Sequence, residues 1–128
     1  MILSRTMRAP LAGFALLALI GTATAQMPTD VKVANGMLTN SAGMTLYTFD
    51  KDAAGKSACN GPCAANWPPV AAPANAKDSG DWTAISREDG SKQWAYKGKP
   101  VYAWSKDQKP GDMTGDGFLN NAWHVAKP

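Results

Sequence analysis

The sequence contains two copies of one pattern, and this duplication constrains its fold more than any other feature. Residues 43–52 match residues 98–107 at an offset of 55, and the match continues to Trp67 and Trp123 at an offset of 56. Gly, Tyr, Lys, Asp and Trp recur in the same order, with aliphatic and aromatic exchanges between them. Because a long solenoid needs about three repeats or more, two copies predict a small duplicated fold.

Short strands and turns account for both copies, which span about residues 36–70 and 91–126. Asn35-Gly36 favours the primed turn of a β-hairpin. The 9 prolines and 12 glycines are spread along the chain and interrupt any long helix, and no segment after the first 25 residues shows a convincing helical period. The sequence therefore predicts one small, mainly β domain, built from two duplicated β-hairpin repeats with long loops rich in Gly, Pro and Asp.

The individual strands follow from β-favouring runs bounded by turn residues. They are predicted at residues 31–33, 37–39, 44–49, 82–86, 92–96, 100–104 and 123–125. Residues 71–81 read as a linker or an exposed loop. Trp67 precedes two prolines, which predict a rigid extended segment because proline fixes φ and lacks an amide hydrogen.

An export signal is predicted at the start of the chain. The first eight residues carry Arg5 and Arg8 without an acidic residue, and residues 9–23 are almost entirely apolar. This apolar stretch is shorter than the roughly 20 residues that a helix needs to span a bilayer. A cleaved secretory signal therefore fits better than a retained transmembrane anchor.

Small residues at Ala23 and Ala25 place the predicted cleavage before Gln26. The signal peptide then covers residues 1–25, and the mature periplasmic or secreted domain covers residues 26–128. No transmembrane anchor is expected in the mature form.

Charge balance argues against nucleic acid as a partner. Removal of Arg5 and Arg8 leaves 11 of the 13 basic residues against all ten acidic ones, a net charge of +1. Nucleic-acid binding usually requires a clustered basic face, and Lys and Arg occur here only singly or in short groups. We expect no nucleic-acid binding.

A Tyr-x-(Phe/Trp/Tyr)-x-x-Asp motif occurs once in each copy. Its residues are Tyr47, Phe49 and Asp52, then Tyr102, Trp104 and Asp107, and the copies close at Trp67 and Trp123. With these motifs the chain resembles a bacterial family of secreted repeats, often described as predicted lipoproteins. The resemblance implies export and the duplicated fold, without an assigned activity. This sequence lacks the lipidation cysteine of many members, so a lipid anchor is not carried over.

The motif residues also have a direct structural interpretation. Tyr47 and Phe49 lie two apart on a strand and share one face, which predicts that the aromatic pair packs on the core. Asp52 and Asp107 follow the strand ends, where a carboxylate can accept backbone amides and hold the next loop. A ligand-binding or catalytic role for these aspartates is the alternative.

Cys59 and Cys63 are the two cysteines of the chain. In an oxidising compartment such a pair usually forms a disulfide, and residues four apart can reach the required Cα separation. A thioredoxin-like site would need Cys-x-x-Cys in a βαβ context. Here the spacing is longer by one residue and that context is missing.

Copper binding is the main alternative for the cysteines. Two thiolates with an imidazole or a thioether suit copper, and the third ligand could be His124, Met113, Met44 or Met37. A calcium site at residues 112–117 is less well matched, because the segment lacks the spacing and terminal Glu of an EF-hand loop.

No catalytic signature accompanies these residues, so enzymatic activity is not expected. The sequence favours an exported binding or interaction module of the cell envelope, clamped by a Cys59–Cys63 disulfide, with no cofactor and an unknown ligand or protein partner. The alternative is a periplasmic copper-binding or redox accessory protein that uses these cysteines with His124 or a methionine.

Overall fold

Short β-strands form the framework of the protein, in a computed structural model that describes residues 27–128. The predicted signal peptide lies outside the described residues. The strands are β1 (Val31–Ala34), β2 (Met37–Asn40), β3 (Tyr47–Phe49), β4 (Ala71–Ala72), β5 (Trp82–Ser86), β6 (Lys92–Tyr96), β7 (Lys99–Pro100) and β8 (Trp123–Val125). Two short helical segments in this part of the chain are α1 (Pro62–Asn66) and α2 (Phe118–Asn121). The predicted mainly β fold is confirmed.

The strands form three small antiparallel sheets. One is the β1–β2 hairpin, the second pairs β3 with β8, and the third has the order β4-β6-β5 with β7 also paired to β6. Asn35 and Gly36 both have positive φ (53° and 75°) in the β1–β2 turn. Positive φ at both central residues characterises the type I′ turn, which suits the twist of the flanking strands.

The two copies exchange their terminal segments. Strand β3 of the first copy pairs with β8 at the end of the second, with Phe49 opposite Trp123. In the equivalent arrangement, Tyr102 forms a bridge with Pro69, and Ala103 N–H donates to Pro68 C=O at 2.8 Å. Each copy therefore completes the other, so neither is a self-contained hairpin repeat.

A pair of reciprocal backbone bonds joins the copies at their centre. Tyr47 N–H donates to Tyr102 C=O at 2.8 Å, and Tyr102 N–H donates to Tyr47 C=O at 2.9 Å. Since these tyrosines are equivalent in the duplicated pattern, the reciprocal hydrogen bonds relate the two halves by a local two-fold arrangement.

Each half also closes a ring of three backbone hydrogen bonds. In the first, Leu46 N–H donates to Leu38, Leu38 to Ala126, and Ala126 to Leu46. The second ring has the same order, and its members are Val101, Trp94 and Val70. Ala126 and Val70 each come from the opposite copy, so the exchange extends beyond the central strands.

Two hydrophobic cores lie on opposite sides of the joined segments Leu46-Tyr47 and Val101-Tyr102. The first is mixed aliphatic and aromatic, with Val31, Leu38, Leu46, Trp82, Trp94, Val101 and Ala126 buried together. The second is mainly aromatic, with Tyr47, Cys59, Trp67, Tyr102, Trp104, Ala122 and Trp123. The predicted packing of the motif aromatics on a core is confirmed, and Leu46 on the other face is fully buried as well.

Four aromatic rings stack through the second core. Phe49 lies on Trp123 with ring centroids 4.1 Å apart, Trp123 on Trp67 at 3.7 Å, and Trp67 on Trp104 at 3.8 Å. The middle pair is almost parallel, with an interplanar angle of 2°. Aromatic pairs of this kind contribute about 0.5–1.5 kcal/mol each beyond burial. The stack therefore joins the copies where their closing tryptophans meet.

Prolines explain where the predicted strands are shorter than expected. Strand β8 forms a continuous ladder with β3, whereas the equivalent segment of the first copy contains Pro68 and Pro69. Because proline has no amide hydrogen, Tyr102 and its neighbours form only isolated bridges, and the predicted strand at 100–104 is reduced to β7 and single contacts.

Two further predictions need correction at the ends of elements. The strand predicted at 44–49 is limited to β3 with one bridge at Thr45. The predicted loop at 71–81 begins with β4, which pairs with β6. Both differences arise because strand pairing depends on distant partners, which local composition does not encode.

Gly115 provides a test of the aromatic stack. A Cβ atom there would lie 2.7 Å from Trp67 Cη2 and 3.0 Å from the Trp104 ring. Because stacked rings cannot move apart freely, Gly115→Ala should lower the free energy of unfolding by about 3 kcal/mol, an overpacking effect. Urea denaturation measures it.

Gly111→Ala is the matched control for this prediction. Its Cβ meets nothing within 4 Å, although Gly111 has a φ of 94°. It should cost only the backbone strain, about 1–2 kcal/mol. Equal destabilisation of the two variants would contradict the packing argument.

Candidate functional site

The tyrosine and aspartate of the family motif bond across the copies. Tyr47 Oη donates to Asp107 Oδ2 at 2.7 Å, and Tyr102 Oη donates to Asp52 Oδ2 at 2.6 Å. Each tyrosine therefore bonds to the aspartate of the other copy. These side-chain hydrogen bonds add to the two reciprocal backbone hydrogen bonds between the same tyrosines.

Both aspartates also bind the loops that follow them. Asp52 Oδ1 accepts the amide of Ala58 at 2.7 Å. Asp107 Oδ1 accepts the amide of Thr114 at 3.0 Å and its hydroxyl at 2.6 Å. Both carboxylates thus accept hydrogen bonds from donors within the fold. More accessible ionisable side chains lie elsewhere on the surface.

Burial perturbs the protonation of this network. Desolvation raises the pKa of the Tyr47 phenol well above its usual range, and the bond to Asp107 adds to the shift. The pKa of Tyr102 is raised in the same way by burial and by Asp52. Burial also raises the pKa of Asp52, although hydrogen bonds from Tyr102 and Ala58 oppose that shift.

Arg87 is a buried cation that the sequence did not reveal. Only 8% of the residue is exposed. Its guanidinium donates to Cys59 C=O at 2.7 Å, Gln93 Oε1 at 2.8 Å, Ser57 Oγ at 3.0 Å and Asn60 Oδ1 at 3.1 Å. Three of these partners lie 27–30 positions away in the chain, so local sequence carries no signal for them.

Cys59 and Cys63 form the predicted disulfide, with the sulfur atoms 2.04 Å apart. Cys59 is buried in the aromatic core, and Cys63 lies in α1. Because neither sulfur is a thiolate in this state, the pair does not supply the ligands that the copper alternative required. Among residues 27–128, no group of three or more His, Cys, Asp or Glu side chains is arranged to hold a metal ion.

His124 and Met113 line a surface cavity together with Met37, and neither cysteine is part of its lining. His124 Nε2 is 2.9 Å from Asp50 Oδ2. Met113 is 51% exposed. The structure therefore separates the four residues that the sequence grouped as one metal site into a buried disulfide and a surface pair.

Lysines gather at a cleft beside β3 and β8, which we call the lysine cleft. It has a volume of about 310 Å³. Its polar and aromatic lining consists of Thr48, Asp50, Tyr96, Lys97, Lys99, His124 and Lys127. Three lysines and one aspartate thus line the cleft. An adjoining cavity of about 340 Å³ shares Thr48, Asp50, Lys97 and Lys99.

The charges of the lysine cleft are not repeated between the two copies. The equivalents of the three lysines, at the repeat offsets of 55 and 56, are Ala42, Met44 and Ala71. The equivalents of His124 and Asp50 are Pro68 and Ser105. The scaffold residues Gly, Tyr, Asp and Trp recur in both halves, whereas the ionisable residues of the cleft do not. The charges are therefore not required to build the fold.

Lys97 occupies an unusual position in the β6–β7 turn. Its φ is 50° and that of Gly98 is 84°, as in a type I′ turn. Asn, Asp and Gly are the residues that favour this conformation, and for a lysine it costs about 1–2 kcal/mol. The Lys97 ammonium lies 5.3 Å from the centre of the Tyr96 ring. A cation is thus held at the edge of the cleft in a backbone conformation that lysine does not favour.

A family model described as a secreted repeat of unknown function matches the chain twice, at residues 29–71 and 83–127. The chain belongs to this family. The two matches correspond to the two copies that exchange strands in the structure. Neither curated proteins nor solved structures give a significant match. Within residues 27–128, no helix has the length and apolar character needed to cross a membrane.

Alkaline pH should expose the linkage between the buried tyrosines and stability. The folded pKa of Tyr47 and Tyr102 is raised, so their contribution is fully present below the unfolded value of about 10 and is lost as pH rises above it. Each tyrosine should reduce the free energy of unfolding by about 1.4 kcal/mol per pH unit in that range. Urea denaturation between pH 8 and roughly 11 measures the slope.

Phenylalanine variants provide the control for this titration. A Tyr47→Phe/Tyr102→Phe protein keeps the rings and has no phenol to ionise at these positions. It should be less stable at neutral pH by about 1–3 kcal/mol for each aspartate that loses its donor. Its alkaline slope should be shallower than that of the natural protein, and an identical slope would contradict the assignment.

Proposed function

We propose that the protein is an exported, non-catalytic binding module of the cell envelope that holds an anionic ligand in the lysine cleft. The observation that carries this proposal is the presence of Lys97, Lys99 and Lys127 in one half of a duplicated fold that needs no charge at the equivalent positions. Since the lysines are dispensable for the scaffold, a role in binding accounts for their convergence.

The chemistry of the cleft favours a carboxylate- or phosphate-bearing sugar. Ammonium groups attract either anion, with modest energy per pair at an exposed site. The Tyr96 ring supplies an apolar wall, and Asp50 and Thr48 offer hydrogen-bonding atoms for hydroxyl groups. A volume near 310 Å³ lies at the lower end of the range for small-molecule pockets, which suits one sugar unit, free or at the end of a polymer.

A binding role fits the surroundings of His124 better than catalysis. Nucleophilic catalysis needs a nucleophile within hydrogen-bond reach of its base. Among the described residues, the hydrogen bond of the His124 imidazole goes to Asp50, and none joins the imidazole to a hydroxyl. The pair is better suited to shaping the cleft than to activating a nucleophile.

A periplasmic or secreted location is part of the proposal. The predicted signal peptide and the secreted family support it. The Cys59–Cys63 disulfide is also typical of an oxidising compartment. In that setting the disulfide ties α1 to Cys59, which is buried in the aromatic core.

Ligand titration tests the cleft. We expect glucuronate or glucose 6-phosphate to perturb the amide signals of Lys97, Lys99 and His124 in NMR spectra, whereas glucose perturbs them much less. Comparison of the two anionic sugars distinguishes a carboxylate ligand from a phosphate ligand. Binding should weaken as salt rises, because exposed charges are screened within about 10 Å at 0.1 M ionic strength.

Charge-removing variants locate the site. Lys97→Asn removes the ammonium while keeping a residue that tolerates positive φ, and it should weaken binding about threefold to fivefold, the scale of one exposed ion pair. Lys32→Gln, on β1 and outside the cleft, is the matched control and should bind as the natural protein does. If glucose binds as well as the anionic sugars, or if Lys97→Asn has no effect, the proposed site is wrong.

A further inference from the structure

A second cavity is lined by His124 and by residues that carry soft donor atoms. It has a volume of about 870 Å³ and is lined by Met37 and Met113 together with His124. The chain has one histidine and six methionines. Two methionines and this histidine thus line one cavity, which shares His124 and Lys127 with the lysine cleft.

Three separate segments contribute these residues to the cavity lining. Met37 begins β2, Met113 lies in the loop between β7 and α2, and His124 is the middle residue of β8. The loop is tied to β8 because Asp116 Oδ1 accepts the Val125 amide at 3.0 Å. The position of this loop beside the cavity is therefore fixed in part by β8, the strand that pairs with the other copy.

Met113 has little packing reason to be where it is. It is 51% exposed, whereas Met37 is 8% exposed. A methionine side chain gains up to about 1.5–3 kcal/mol from full burial, and Met113 forgoes much of that gain. The residue is instead about half exposed to solvent, and it lines the cavity.

Asp50 prepares His124 to act as a ligand. The Asp50 carboxylate lies 2.9 Å from His124 Nε2. In the tautomer that donates this bond, Nδ1 carries the lone pair. Metal-binding histidines commonly donate their other ring N–H to a carboxylate, which fixes the tautomer and raises the basicity of the ligating nitrogen.

We propose that Met37, Met113 and His124 form a binding site for Cu(I). Thioether and imidazole donors suit this soft monovalent ion. Thioethers also remain available in an oxidising compartment, where the two cysteines are joined as a disulfide. Binding to neutral imidazole and thioethers involves no change of oxidation state. The proposal differs from the thiolate site considered from sequence and does not depend on the anion-binding function.

The charges around the cavity are compatible with a monovalent cation. Lys127 lines it and opposes a cation, whereas Asp116 lines it and favours one. Asp50 adds a second carboxylate behind the imidazole. The acidic groups therefore offset the single lysine.

Metal titration of the mature protein tests this site. The probes are Ag(I), as an air-stable analogue, and Cu(I) under anaerobic conditions. We expect one ion per chain and shifts of the Met37 and Met113 methyl signals in NMR spectra of protein labelled with ¹³C at the methionine methyl groups, while the Met44 methyl stays unchanged. Met113→Leu and His124→Gln should each weaken binding at least tenfold.

Matched variants make the outcome decisive. Met44→Leu should bind as the natural protein does, and circular dichroism checks that Met113→Leu is folded. Absence of one-to-one binding, or binding by Met113→Leu equal to that of Met44→Leu, would overturn the proposal. Lys97→Asn should leave metal binding unchanged and weaken only the anionic sugar, so failure of one proposal can be distinguished from failure of the other.

Discussion

The meeting of the two copies at their tryptophans is the interaction on which the rest of the structure depends. Trp67 and Trp123 close equivalent repeats and stack with their centroids 3.7 Å apart. Each ring also covers an aromatic residue of the opposite copy, Trp104 or Phe49. Because each copy places its terminal segment in the other, neither can bury its aromatic residues alone. The duplication is thus a folding requirement, and the small domain gains a shared core that a single hairpin repeat would lack.

The family motif belongs to this shared scaffold. Tyr47 bonds to Asp107, and Tyr102 bonds to Asp52, so the motif spans the two copies. Buried phenols bonded to carboxylates fix the relative position of the halves with polar specificity that stacking alone does not provide. Recognition of the motif therefore locates the structural framework, and the candidate ligand sites have to be sought among residues outside it.

Asymmetry on a symmetric framework is what points to function. The backbone positions of Lys99 and Met44 are equivalent, yet one carries charge and the other does not. The same holds for His124 and its equivalent Pro68. This pair also affects local structure: β8, which contains His124, pairs continuously with β3, whereas Pro68 has no amide hydrogen to donate to the equivalent pairing. The ionisable and soft donor groups of both proposed sites come from the two copies together, at positions whose equivalents in the other copy do not repeat them.

The sequence by itself determined the duplicated β fold, the β1–β2 turn at Asn35-Gly36 and the Cys59–Cys63 pairing, because each depends on residues close in the chain or on a repeated pattern. The exchange of terminal strands, the burial of Arg87 and the convergence of Lys97 with His124 were decided only by the tertiary structure. These features depend on contacts between segments tens of residues apart, and the register of those contacts follows from packing the aromatic core rather than from any local preference.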